Sequence, residues 1–86
     1  MNEYQVIFSD SAKKEFEALP VEVNNRIYPK IEALAVDPRP DGCKKLKGQP
    51  NLWRIRVGDY RVIYSVDDHS CCVDTIIVCH RSKAYR

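Results

Sequence analysis

Hydrophobic positions change their period along the chain, and each change marks an element. Glu3 to Phe8 alternates loosely, with Tyr4, Val6 and Phe8 on one parity, and predicts a first strand. Ser9-Asp10 then supplies a helix N-cap, because a short oxygen-bearing side chain accepts from the free amides of a first turn. Ala12, Phe16 and Leu19 follow at helical spacing, with Lys13, Lys14 and Glu17 outward, so the first helix ends before Pro20. Pro20 suits the start of a second helix, where a missing N–H costs nothing. Val23, Ile27, Ile31 and Leu34 form the buried stripe of that helix. Pro29 falls inside the stripe and predicts a kink, or a split near Tyr28. Together the two helices read as an αα-hairpin.

A turn-rich loop, Asp37-Pro38-Arg39-Pro40-Asp41-Gly42, continues through Lys44-Lys45-Leu46-Lys47-Gly48. From Leu52 the period becomes two, and the spacing predicts strands over Leu52–Val57, Tyr60–Asp67 and Cys72–His80. Gly58-Asp59 is a two-residue hairpin signal, and Asp67-Asp68-His69-Ser70 makes the next turn. The order β-α-α-β-β-β predicts an α+β fold: a helical hairpin packed on one face of a mostly antiparallel four-stranded sheet. The 86 residues make one domain, 1–86, with a thin core.

Strand parity then sorts the charged residues. Trp53, Ile55 and Val57 share a face, and so do Tyr60, Val62, Tyr64 and Val66; these apolar sets belong against the helices. Arg54, Arg56 and Arg61 emerge on the free face. The last strand is apolar on both faces and reads as an interior one. If Ile76 and Val78 face the helices, Thr75, Ile77, Cys79 and Arg81 join the free side, and extended chain carries Lys83 and Tyr85 there too. His80 then points toward the helices. Clustered guanidiniums need an anion, and their planar forks suit phosphate. The alternative is pairing with carboxylates such as Asp59, Asp67 and Asp74.

Charge supports a polyanion partner. Residues 1–42 carry five basic side chains against eight acidic ones, whereas residues 43–86 carry nine basic against four acidic, within a net charge of +2. A solvated surface is the competing reading. The N-terminus has neither a basic segment nor a long apolar run, so the expected location is cytoplasmic, with no membrane partner. Cys43, Cys71, Cys72 and Cys79 are expected to be reduced there. The group His69, Cys71, Cys72, Cys79 and His80 fits no C-x-x-C spacing, and neither a metal nor a cofactor is expected.

Three stretches resemble the RelE/ParE toxins of bacterial type II toxin–antitoxin pairs: Lys45-Leu46-Lys47-Gly48, the run from Leu52 to Tyr64 (LWRIRVGDYRVIY), and His80 to Arg86 (HRSKAYR). The resemblance covers essentially the whole chain and implies the RelE-like branch. Toxins of that branch are ribosome-dependent mRNA endonucleases: they enter the ribosomal A site and cleave by attack of a ribose 2′-OH on the adjacent phosphate. The resemblance assigns catalytic positions to Arg54, Arg56, Arg61 and Arg81, with Tyr85 stacking on a base. Some members carry lysines where Arg54 and Arg56 stand. Arginine does not shed its proton, so these two are read as phosphate clamps. The general base then falls to Tyr85, His80, Lys47 or a ribosomal group. His80 is kept as a catalytic candidate, and Lys44, Lys45, Lys47 and Lys83 as RNA-backbone contacts. Implied partners are a cognate antitoxin, the ribosome with its rRNA, mRNA, and operator DNA only through the antitoxin complex. Two alternatives stand beside this: a non-enzymatic DNA gyrase inhibitor like the ParE branch, and an inactive homologue that only binds its antitoxin.

Overall fold

A computed structural model describes residues 3–48 and 50–83. Strand β1 (Gln5–Phe8) leads into helices α1 (Asp10–Glu17) and α2 (Val21–Ala33), followed by β2 (Lys44–Lys45), β3 (Leu52–Val57), β4 (Tyr60–Asp67) and β5 (Cys72–His80). A single 3-10 turn, Arg81–Lys83, ends the described chain. The sheet order is β1-β5-β4-β3-β2, with β1 parallel to β5 and every other pair antiparallel. The class is α+β, as expected, but the sheet has five strands rather than four. The additional strand, β2, is two residues long, too short for any alternation to announce it.

Helix α1 starts where its cap predicts: the Ser9 hydroxyl accepts from the Ala12 amide at 3.1 Å. Helix α2 does not split at Pro29. Proline there removes the donor for the Asn25 carbonyl, but Asn25 and Pro29 are both exposed, so water can satisfy it. The stripe residues Ile27, Ile31 and Leu34 are buried against Val62, Tyr64, Val66, Val73 and Val78 of the sheet. The Tyr64 hydroxyl donates to the Pro38 carbonyl at 2.7 Å, and burial pushes its phenol well above the usual range.

Strand β5 corrects the expected parity. Ile63 pairs with Ile77 and Tyr64 with Thr75, so Ile76 is an extra residue in a bulge. Thr75 therefore lies on the helix side, completely buried, rather than on the free face. Ile76 is displaced from the pleat, while Ile77, Val78 and Cys79 keep the expected sides. Beyond Thr75, no strand among the described residues pairs with β5 on its β1 side, and α1 takes that place. The Ser9 hydroxyl donates to the Ile76 carbonyl at 3.2 Å, and the Glu15 carboxylate accepts from the Val78 amide at 3.0 Å.

Candidate nucleic-acid interface

The register sets out the sheet face away from the helices as cross-strand rows. One row is Arg56, Arg61 and Cys79; the next is Lys44, Arg54, Ile63 and Ile77. A third holds Leu52, Ser65, Asp74 and Ile7. Arg54, Arg56 and Arg61 thus share the face that alternation assigned them. What alternation did not announce is burial: Arg54 is 5% exposed, Arg61 7% and Ile63 3%. Ile63 stands apart from the main core, between Arg54 and Ile77 in its row.

Among the described residues, neither buried arginine forms a salt bridge with a carboxylate. The Arg54 Nη1 is buried without a hydrogen bond, and so is the Arg61 Nε. The Arg61 Nη1 donates to the Gly58 and Tyr60 carbonyls at 3.3 and 3.0 Å, which aims its guanidinium at the hairpin turn. No aspartate of the described residues forms a salt bridge with either of them. Asp59 lies 3.9 Å from the Arg81 Nε. Asp67 accepts from the His69 and Ser70 amides of its own turn, which holds its carboxyl below the usual range. The Asp74 Oδ1 is buried without a partner. Arg56 and Arg61 stand directly opposite each other across β3 and β4, an arrangement of like charges that repels unless an anion intervenes. Beside them, Asp41, Gly42, Lys44, Arg54, Ile55 and Arg56 line an open groove of about 350 Å³.

The other expected site residues divide. Lys44 joins the arginine face through its pairing with Arg54, whereas Lys45 pairs with Trp53 and takes the opposite side. Lys47 is exposed in the loop after β2. Arg81 is exposed; its amide donates to the Asp59 carbonyl at 2.7 Å, which holds it at the Gly58-Asp59 corner. Lys83 is exposed in the 3-10 turn. Tyr85 lies outside the described residues. His80 pairs with Tyr60 and meets its ring edge-on, with centroids 5.4 Å apart, on the helix side of the sheet. Burial pushes the Cys79 thiol up, and Glu15 adds to this against the opposing pull of Arg61 and Lys83. Among the described residues no cluster of His, Cys, Asp and Glu could hold a metal ion.

Chemically, the face can grip a phosphate bidentately and stabilise charge developing on it. Arg54, Arg56 and Arg61 cannot remove a proton. The profile of the family described as the ParE toxin of the type II toxin–antitoxin system parDE matches residues 6–85. The chain belongs to this ParE toxin family. No curated protein matches it. Among solved structures, this ParE-family toxin resembles the archaeal RelE–RelB complex from Pyrococcus horikoshii OT3. Identity there is 30% and the TM-score 0.82, over 95% of this chain and 99% of that one. The isolated E. coli RelE toxin aligns at 27% identity and TM-score 0.82, covering 95% of this chain and 88% of that one. Toxin in the intact E. coli RelBE toxin–antitoxin complex aligns at 29% identity and TM-score 0.80, covering 90% and 95%. The chain is thus a type II toxin of the RelE/ParE superfamily, with a RelE-like fold.

Two features near the hairpin corner of this ParE-family chain are not foreshadowed by the sequence pattern. Gly58 has φ of +60°, and a Cβ there would lie 2.7 Å from the Arg26 Nη2, so α2 sends a further guanidinium onto the hairpin turn. Ser82 contacts the His80 ring at Nδ1. Only a glycine in a turn hinted at the first, and no local pattern hinted at the second.

Proposed function

We propose that this toxin cuts mRNA on the ribosome, in the A site, by guiding a ribose 2′-OH onto the adjacent phosphorus. The observation that carries the reading is the pair of buried guanidiniums, Arg54 and Arg61, each with an unpartnered nitrogen and neither in a salt bridge among the described residues. A buried cation without a counter-ion is costly, and a bound phosphate removes that cost. In the reaction a new O2′–P bond forms and the P–O5′ bond breaks. The 2′ proton leaves to a base, and the leaving 5′ oxygen takes a proton. Arg54, Arg56 and Arg61 hold the phosphate and stabilise its developing charge, and Arg81 approaches from the Gly58-Asp59 corner. Lys44 and the exposed Lys47 and Lys83 extend the cationic surface toward RNA backbone. Lys45, on the other side of the sheet, reaches rRNA only from a different direction.

The relatives in complexes with RelB support a cognate antitoxin for this chain. In this reading the chain meets operator DNA only through that antitoxin complex. Gyrase inhibition is the second reading, favoured by the ParE profile that the chain matches. Programmed ribosomes decide between them. Purified toxin should cleave A-site mRNA, and Arg61→Ala should slow cleavage about 100-fold, the usual cost of losing a transition-state donor. Intact mRNA together with arrested gyrase supercoiling would replace the first reading by the second.

A further inference from the structure

We propose that His80 is a positioning residue that caps the turn carrying Arg81, and that it takes no part in proton transfer through Nδ1. The inference rests, for its activity arm, on the mRNA-cutting reading. Strand β5 ends at His80, and the chain passes at once from extended backbone into the 3-10 turn Arg81–Lys83. The first amides of any helical turn have no acceptor within it. Here the Ser82 amide donates to the His80 Nδ1 at 3.2 Å, and the Ser82 hydroxyl lies 3.1 Å from the same nitrogen. A side chain just before a helical turn, accepting from the amide two residues on, is the N-cap arrangement usually made by Ser, Thr, Asn or Asp. His80 fills that role with a ring nitrogen.

Accepting a backbone N–H fixes the chemistry of the ring. Nδ1 carries the lone pair, so the proton of the neutral ring resides on Nε2. Tyr60 fixes the ring from the other side, edge-on at an interplanar angle of 85°. The tail therefore has two anchors at one corner: the cap on Ser82, and the 2.7 Å bond from the Arg81 amide to the Asp59 carbonyl. Between them they set where the Arg81 guanidinium leaves the backbone, next to the row of Arg56 and Arg61. A capped His80 faces the helix side and cannot also face the phosphate, so its contribution passes through Arg81.

Three substitutions separate the cap from the ring. His80→Asn keeps a side-chain acceptor, His80→Phe keeps an aromatic ring against Tyr60 without an acceptor, and His80→Ala removes both. Ser82 amide exchange, measured by NMR on the free protein, should accelerate about tenfold in the Phe and Ala variants and stay near wild type in Asn. Single-turnover cleavage at saturating ribosomes should follow the same order, about tenfold slower in Phe and Ala, with half-saturation and melting temperature of the Phe variant unchanged. Wild-type cleavage by His80→Phe, or an Asn variant as impaired as Ala, would overturn the proposal. If the wild-type protein leaves ribosomal mRNA intact, the mRNA-cutting reading fails and the positioning role with it. Ser82 exchange then reports the cap by itself, so the two failures read separately.

Discussion

Arg54 joins two properties that rarely coexist in one side chain: it carries a guanidinium, and it is 5% exposed with its Nη1 unpartnered. Removing that charge without removing its volume should stabilise the fold. Arg54→Met is expected to raise stability by about 1 kcal/mol in urea unfolding, because an unpaired buried cation is replaced by a flexible apolar chain. The same variant should lose mRNA cleavage. A less stable Arg54→Met would mean that the guanidinium is satisfied in solution. Parity alone placed Arg54 on the right face, because alternation is a property of the extended backbone. Its burial was not legible, since it comes from cross-strand neighbours such as Ile63, paired at a distance in the chain.

At the scale of elements, the informative strand is β5. Its residues Cys72–Thr75 pair with β1, and the segment beyond the bulge is held by side chains of the first helical segment instead. Glu15→Ala should leave the Val78 amide without its acceptor and cost about 1–3 kcal/mol of unfolding free energy. Glu15→Gln should recover part of it, because an amide oxygen also accepts from a backbone N–H, though without the carboxylate's charge. Nothing in the helical spacing around Glu15 marks it as an acceptor for a strand 63 residues away. The bulge at Ile76 was equally hidden: Thr75-Ile76-Ile77-Val78 reads as an unbroken run, and an extra residue shows only when a partner strand is one residue shorter. This is why Thr75 was expected on the wrong face while Val78 was placed correctly.

Across the whole molecule, a polar clasp ties three distant segments together. The Tyr4 hydroxyl donates to the Asp68 Oδ1 at 2.6 Å, and the Arg39 guanidinium grips both Asp68 oxygens at 3.3 and 3.0 Å. Arg39 also lies 5.1 Å over the Trp53 ring. These contacts join the approach to β1, the loop after α2 and the β4–β5 turn. The Arg39 guanidinium first, and the Tyr4 hydroxyl second, hold the Asp68 carboxyl below its ordinary value of 3.8. A carboxyl whose pKa is depressed by folding contributes stability above the unfolded value and loses it as pH falls through the folded one. The melting temperature should therefore drop on acidification below about pH 4 more steeply than in Asp68→Asn. Parallel acid limbs in the two proteins would remove Asp68 from the account. Because the clasp is exposed to solvent, salt should weaken it as well.

The sequence by itself determined the local grammar of this protein: the Ser9 cap, the stripe Val23-Ile27-Ile31-Leu34, the hairpin at Gly58-Asp59, and the shared face of Arg54, Arg56 and Arg61. Each follows from the backbone period or the capping chemistry of residues a few positions apart. Only the tertiary structure decided which of those arginines are buried, that Asp59, Asp67 and Asp74 leave them unneutralised, and that β5 bulges at Ile76. It also decided that the His80 ring, which parity already aimed at the helix side, meets Ser82. Those outcomes depend on register and on contacts between segments tens of residues apart, where no periodicity of a single strand or helix carries the information.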